Sequence, residues 1–524
     1  MRQQTPSFVL ELPLKTSSQD EKELLSRLES ARKLYNATLG EAKKRVTLIK
    51  QSKFFQKARK LPKTNKNRNI MFKMAREAQN FSEYSLYGYI VKLRHSFPNN
   101  LDVHTTQRLA SRAFHAVEKL LYGTARKVRF KGFNQINSVE SSDNASGIRW
   151  RDNSVVWNGL NLKPIIYTQD EVIRHGLQQR VKYCRIVRKV IRKKNRFYVQ
   201  LVLEGTPLIK NKNQLGKGIV AFDFGPSTLA IVSNNQNEFQ ARLLQFCSEL
   251  KFREKAIHNL QRKIDRQKRQ SNPQNYSPNG QITRGRHAWK KSTRQKENEK
   301  ELRNLYQIVS EHRKSLQGKL VNETLRMGNV FKTEKVSRKW LQKNFGKSVG
   351  MRAPGMFVSG MRRKAESAGG AFIEFPTITT KLSQTCVCGR QHKKLLSDRV
   401  HSCPCGVTAQ RDLFSAFLAL YVEKQESKGN KEEDKYILHA DQAQKAWPSA
   451  DKLLQTAWRI ALQSTSEGFI PSSFGRIASP RGQSGSPAKK GTVEFEIRDV
   501  VSACRRGGES LKENKMIPLE PMGF

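Results

Sequence analysis

Four cysteines in two Cys-X-Cys pairs, Cys386, Cys388, Cys403 and Cys405, are separated by a short polar segment, and the second pair sits just ahead of an acidic residue that opens an apolar run. Four thiolates suffice to close a tetrahedral zinc site. Gly389 and Gly406 each follow a pair by one residue, which lets the backbone turn so that its amides face sulfur. A pair of disulfides is the competing arrangement, and the reducing compartment inferred below disfavours it. His392 and His401 flank the pairs and could each replace a thiolate; with four cysteines available, a solvent-facing role is expected for both.

Three carboxylates form a second group. Asp223 lies inside the apolar run Ile219 to Phe224, where an isolated carboxylate is costly to bury. A metal ion is its most economical partner; backbone amides at a strand end beside Gly225 are the alternative. Glu334 ends a later strand, and Asp412 lies in the first turn of the helix RDLFSAFLALYV, where the helix dipole favours its charge. Carboxylates from two strands and a helix, brought to one sheet edge, are what two magnesium ions need to clamp the attacking and leaving oxygens of a phosphodiester. Hard oxygen ligands suit Mg²⁺ or Mn²⁺ rather than zinc. Spacing alone leaves the middle ligand open, since Glu366 and Glu374 are close in sequence; Glu366 reads as a solvated helix residue and Glu374 as a strand residue beside the cysteine pairs.

The elements that must position these groups follow from the pattern along the chain. SFVLELPL, residues 7 to 14, alternates as a strand, with Ser17 and Ser18 as helix caps after it. Leu24, Leu28, Leu34 and Leu39 then recur at helical spacing, and residues 19 to 125 read as a helical block, with Leu109, Phe114, Val117 and Leu121 as one apolar face of its last helix. From 126 to 210 the pattern is strands, ending in a hairpin around a KKNR turn that is expected to show Arg188, Lys189, Arg192 and Lys193 to solvent; a small β-barrel with a basic face is the natural closure. After the linker 211 to 217 come two or three strands that include Asp223. Residues 251 to 300, with 15 Lys or Arg against 4 Asp or Glu, read as two helices joined by an exposed basic loop, the second with Leu302, Leu305, Val309, Leu316, Leu320 and Leu325 on one side. A strand at Glu334, a helix with a Gly-Gly stop and a further strand lead to the cysteines. Beyond about 430 a short helix near ADKLLQTAWRIAL is expected, followed by disorder, since 13 of the 20 residues from 471 to 490 are Pro, Ser, Gly or Ala.

Composition selects the partner. The 524 residues hold 97 Lys and Arg against 45 Asp and Glu, a formal net charge of +52, which is costly self-repulsion unless a polyanion neutralises it. Nucleic acid fits, whereas a membrane role lacks basic amphipathic helices with aromatic anchors, a lipid signal or a long apolar run. The expected setting is soluble, intracellular and reducing. Cys184, Cys247 and Cys504 are scattered, unlike a secreted disulfide framework.

FDFGPSTLAIV, KTEKVS, the paired Cys-X-Cys-Gly knuckles and QRDLFSAFLAL together resemble the split RuvC nuclease domain, with its inserted zinc ribbon, of the transposon-encoded TnpB (OrfB) family, related to the type V CRISPR effectors. The resemblance implies an α/β multidomain chain. Its wedge first strand would be residues 1–15, a helical recognition domain 16–125, a β-barrel wedge domain 126–210, an RNase H-like RuvC nuclease domain 211–382 and 408–430, a zinc ribbon 383–407 and a tail 431–524. It also implies Asp223, Glu334 and Asp412 as catalytic magnesium ligands, the four cysteines as zinc ligands, and an RNA-guided endonuclease that binds a structured guide RNA and cuts both strands of a double-stranded DNA target. The setting that the resemblance implies is the cytoplasm of a prokaryote, close to the nucleoid. The Cys-X-Cys spacing, the Phe of FDFG and the long tail depart from the family pattern. Two rivals are a nuclease-inactive guide-dependent DNA-binding protein and a guide-free transposase or structure-specific nuclease. The oligomeric state is open.

Overall fold

A computed structural model describes residues 5–97, 100–192, 194–225, 227–236, 238–395, 398–425 and 435–463. Its first half interleaves one sheet with a helical block. Strand β1 (Ser7–Lys15) is followed by α1 (Ser18–Gln51), α2 (Lys53–Lys60), α3 (Lys66–Glu77), α4 (Glu83–Arg94) and α5 (Val103–Leu121). Then come β2 (Ser138–Glu140), β3 (Arg149–Arg151), β4 (Ser154–Trp157), β5 (Leu160–Pro164), α6 (Glu171–Leu177), β6 (Val181–Ile191) and β7 (Lys194–Glu204). Ser17 starts α1 with a reciprocal capping box to Asp20, as its position suggested. The strands form one sheet in the order β2-β6-β7-β1-β5-β4-β3, and β3 at one end lies against β6 near the other, so the sheet curls back on itself.

Alternation along β1 buries Leu10, Leu12 and Leu14 in the core shared with the helices. Helices and sheet are also tied through polar groups. Buried Arg27 of α1 donates to the Trp157 and Asn158 carbonyls at 2.7 and 2.8 Å, and Trp157 Nε1 donates to Asp102, the N-cap of α5, at 2.8 Å. The β6–β7 hairpin corrects one expectation. Arg188 is 5% exposed, because the inward alternation Cys184, Ile186, Arg188 carries its guanidinium onto Asn134 and Asn137. Val190, the next residue but one, faces out instead. Arg192 occupies the tight turn with φ of 48°, while Lys193 lies outside the described residues.

The second half is built on a second sheet. In chain order it comprises β8 (Ile219–Phe224), β9 (Thr228–Asn235), β10 (Glu238–Gln245), α7 (Glu254–Gln270), α8 (Thr293–Leu325), β11 (Val330–Glu334), α9 (Arg338–Arg352), α10 (Pro354–Ser367), β12 (Ala371–Phe375) and α11 (Thr377–Thr380). The chain continues with β13 (Val400–Ser402), β14 (Thr408–Gln410), α12 (Arg411–Ala419), β15 (Val422–Gln425), β16 (Lys435–Leu438) and α13 (Ala440–Gln463). The sheet order is β10-β9-β8-β11-β12: an antiparallel meander on one side of β8 and a parallel pair on the other.

Period-two alternation divides β8 between two cores. Val220 and Phe222 face α8 and α10, where Phe224, Phe246, Phe357 and Phe372 complete a cluster of rings; Phe224 of the FDFG segment is thus a packing residue. Ala221 faces α12 and α13. Small residues there, Ala221 and Ala230, let α12 lie close to the sheet.

Helix α6 interrupts a span read as strands, and two further features were not anticipated. Helix α9 follows Glu334 directly, and the β15–β16 hairpin carries the chain into α13. The short helix expected near ADKLLQTAWRIAL is present and longer, as α13, and residues 435–463, grouped by sequence with the tail, belong to the core: Leu454, Trp458 and Ala461 of α13 are buried, and Gln455 donates to the Thr408 carbonyl at 2.7 Å. The Pro, Ser, Gly and Ala-rich stretch 471–490 lies outside the described residues. Trp458→Ala should therefore cost about 3–5 kcal/mol of unfolding free energy, as large-to-small changes at buried aromatic sites do. Chemical denaturation checks this, and a change below ~1 kcal/mol would return α13 to the tail. Among the described residues no helix is long and apolar enough to cross a membrane.

Candidate active site and metal centre

Strand register brings the first two carboxylates together. β8 and β11 run parallel with Phe222 opposite Thr333, so the next pair in register is Asp223 and Glu334, both on the face that holds Ala221, Lys332 and α12. Asp412, 2% exposed, reaches the same place from the first turn of α12. Its Oδ2 accepts from Thr228 Oγ1 of β9 at 3.0 Å. Helix α12 is anchored at its other end too: the buried Lys332 ammonium of β11 donates to the Leu420 and Val422 carbonyls at 2.7 and 2.8 Å, where the C-terminal end of the helix dipole welcomes a cation. Gly225 is required by this closeness, since a Cβ there would lie 2.1 Å from Thr228 Oγ1 and 3.1 Å from Asp412 Oδ2.

The electrostatics record the crowding. Burial pushes the Asp223 carboxyl well above its usual range, and the charges of Asp412 and Glu334 push it further; Arg411 and the Phe224 amide only partly offset this. Burial raises Glu334 to about 7, against hydrogen bonds from Thr380 Oγ1 at 3.2 Å and the Leu382 amide. Backbone amides therefore do not satisfy Asp223. Asp223 and Glu334, both raised and set beside a third carboxylate, are the kind of crowding that a divalent cation relieves. Among the described residues the tight cluster of possible metal ligands is the four cysteines and does not include these carboxylates. Three hard-oxygen donors on one sheet face have the chemistry that a pair of divalent ions would draw on.

Glu374 and Glu366 are placed elsewhere. Glu374 pairs in register with Thr333, on the opposite face, where Arg362 of α10 donates to it; Glu366 lies near the end of α10, with Arg362 and Arg363 along one cavity wall. Of the three candidates for the middle position, Glu334 is the one that Asp223 feels.

Two arginines at this face were not found by sequence reasoning. Arg399 precedes β13, Arg411 follows β14, and the Arg411 amide donates to the Arg399 carbonyl at 2.9 Å, so the two stand opposite each other at the base of the hairpin. Arg411 Nε is 3.6 Å from Asp412 Oδ1. Burial lowers the Arg399 pKa, and the charges of Asp412 and Asp223 pull it back up. The available signal was the arginine beside Asp412; nothing local marks Arg399.

The hairpin carrying them is pinned by the cysteines. Cys386 and Cys405 sulfurs are 3.6 Å apart, Cys388 and Cys403 3.7 Å, and all four Sγ atoms lie within 4.8 Å of one another. Zinc–sulfur bonds of ~2.3 Å in a tetrahedron separate sulfurs by about 3.8 Å, so the cluster can hold zinc. The thiols are unbonded to one another, unlike the disulfide alternative. Each knuckle has the same turn: Gly389 and Gly406 amides donate to the Cys386 and Cys403 carbonyls at 3.0 Å, with φ of 79° and 92°. Burial raises the Cys386 thiol, whereas the Cys405 amide lowers Cys403 to about 7.

His401 departs from expectation and His392 does not. His392 is exposed, but His401 is 2% exposed and stacks on Phe414 of α12 at 4.1 Å between centroids. Lys394 donates to its Nδ1, and burial with that cation pushes it down to about 4, so it is a neutral spacer between ribbon and helix.

Neither a family model nor a curated protein matches the chain. Among solved structures, it is similar to a Cas12f1–sgRNA–target DNA complex, at 12% identity over 79% of this chain and 98% of that one, with a TM-score of 0.38. It is also similar to a CRISPR-Cas12f ternary complex, at 13% identity over 76% and 81%, with a TM-score of 0.25. Likeness at this level leaves the case to the residues themselves.

Proposed function

We propose that this chain is an RNA-guided DNA endonuclease of the TnpB-like kind, whose single RuvC-type centre cuts both strands of a guide-matched duplex beside a short adjacent motif. The observation that carries the reading is the convergence of Asp223, Glu334 and Asp412, from two strands and a helix, on one sheet face beside Arg399 and Arg411, in a chain of net charge +52. In this reading the β10-β9-β8-β11-β12 sheet is the RNase H-like core, the cysteine knuckles are the zinc ribbon, and the curled N-terminal sheet with its helices is the wedge and recognition portion.

Asp223, Glu334 and Asp412 would hold two magnesium or manganese ions, which when bound activate the attacking water and stabilise the departing 3′ oxygen. The protein's own groups supply orientation. Thr228 and Lys332 fix α12, and with it Asp412, against the sheet. Arg399 and Arg411 offer guanidinium charge to the scissile phosphate, where Arg can engage two oxygens at once. Thr380 and the Leu382 amide hold the Glu334 carboxyl toward the centre. The diffuse positive charge grips nucleic-acid backbones while base pairing reads sequence.

The test uses the full chain with its copurified RNA sequenced, and duplex DNA matched to that RNA. Cutting of both strands is expected only with RNA and magnesium present. Cutting after the RNA is digested away would favour a guide-free nuclease. RNA-dependent binding without cutting would favour a nuclease-inactive DNA-binding protein, against which all three carboxylates stand.

A further inference from the structure

Residues 266–296, at the tip of the α7–α8 hairpin, contain nine Lys or Arg and no Asp or Glu across 31 positions. A run of like charge is ordinarily a solvated, loosely held segment. Here it is folded and pinned. Asn272, 0% exposed, accepts from the Lys290 amide at 2.6 Å and donates to the Lys268 and Lys290 carbonyls at 2.9 Å. Buried Asn275 donates to the Ala288 carbonyl at 2.8 Å, and a bridge pairs Tyr276 with Ile282. Two buried amide side chains thus clamp the two legs of the loop and hold its cations together against their own repulsion.

The aromatic residues of the knob are arranged with equal care for charge. Lys268 Nζ sits 4.0 Å from the Trp289 ring centroid, Arg269 lies over Tyr276, and the edge of Tyr276 meets Trp289. Trp289 nonetheless remains 36% exposed. Arg284, Arg286, Lys290 and Arg294 are exposed and have no carboxylate within ion-pair range among the described residues. At 1.5 Å per residue, the 17 residues of α7 carry the knob about 26 Å along the hairpin.

We propose that this knob is a docking site for an unpaired loop of a folded RNA, with Arg284, Arg286 and Lys290 on phosphates and a base stacked on Trp289. An exposed indole beside unpaired guanidinium groups suits a splayed-out base, which a fully stacked DNA duplex does not present. The choice of RNA rests on the guided-nuclease reading above, but the measurement does not require cleavage. Full-length protein stripped of RNA is titrated with a labelled RNA stem-loop carrying an unpaired loop, with a blunt RNA duplex and with duplex DNA.

Arg284→Ala with Arg286→Ala should weaken stem-loop binding about tenfold or more and flatten the slope of log affinity against log salt by about 1.4–1.8, the share of two phosphates. Trp289→Ala should cost about tenfold on the stem-loop with little effect on either duplex, and Trp289→Phe should restore most of it. Unchanged stem-loop affinity in these variants overturns the proposal, as does an equal loss on duplex DNA or an inert Trp289→Ala. A chain that binds the stem-loop through the knob but never cuts DNA would sink the nuclease reading alone. The reverse pattern would sink only the knob.

Discussion

Asp223→Asn is expected to abolish DNA cutting, by more than about 10³-fold in single-turnover rate, while stabilising the magnesium-free protein above neutral pH. The rate loss exceeds the 10²–10³ that one electrostatic stabiliser is worth, because in the proposed reading Asp223 would be one of the carboxylates that hold the ions. The stability gain follows from the raised pKa values at the carboxylate face. Glu334 holds its proton in the folded chain up to about 7 but releases it near 4.5 when unfolded. Between those values the folded state binds more protons, so stability is fully present below about 4.5 and is lost as pH rises through 7. At roughly 1.4 kcal/mol per pKa unit the penalty approaches about 3 kcal/mol, reduced by whatever water reaches the site.

Asp223, raised in the same direction, adds to the loss. Thermal unfolding without added magnesium, with zinc retained, from pH 5 to 8 should therefore show a falling melting temperature that flattens in Glu334→Gln and in Asp223→Asn. Magnesium should reverse the fall in the unmodified chain, by about 2.7 kcal/mol at a hundred times its dissociation constant, and should do little for either variant. Retained cutting by Asp223→Asn would refute the assignment of the centre.

The second large effect lies at the cysteines. Structural zinc is worth about 10–16 kcal/mol in small peptide domains, and here it would pin a hairpin of two three-residue strands. Stripping the metal, or Cys386→Ser, should unfold residues 383–407, uncover Phe414 where His401 now covers it, and release Arg399 and Arg411 from the carboxylate face. DNA cutting should then disappear while RNA binding by the N-terminal half persists. Elemental analysis should find one zinc per chain, and limited proteolysis should cut within the ribbon only after chelation. A chelated protein that cuts DNA at its former rate would break the link between ribbon and centre.

How much of this was legible from residue order alone differs by element. Asp223 could be singled out because an acid within an apolar run is costly wherever the strand ends up. The cysteine cage could be read because four soft ligands at knuckle spacing have few other uses. The N-terminal strand, the capped first helix and the face Leu109, Phe114 and Val117 follow from periodicity, which is a local property. Arg188 went the other way because alternation, not charge, decides which side of a strand a residue faces, and two asparagines were waiting on the inner side. Helix α13 looked like the start of a tail because its buried face gains meaning only from the sheet it covers.

Residue types and spacing by themselves determined which groups could do chemistry: three acids, four thiolates and an excess of cations seeking a polyanion. Spacing left the middle acid open and the family resemblance pointed to Glu334; the tertiary structure adds that parallel register sets Glu334 beside Asp223 and turns Glu374 to Arg362 on the far face. Only the tertiary structure brought Arg399 to the acids and set Lys332 under the end of α12. These groups come from distant parts of the chain, and no local pattern encodes a meeting that depends on how two sheet faces and a ribbon pack.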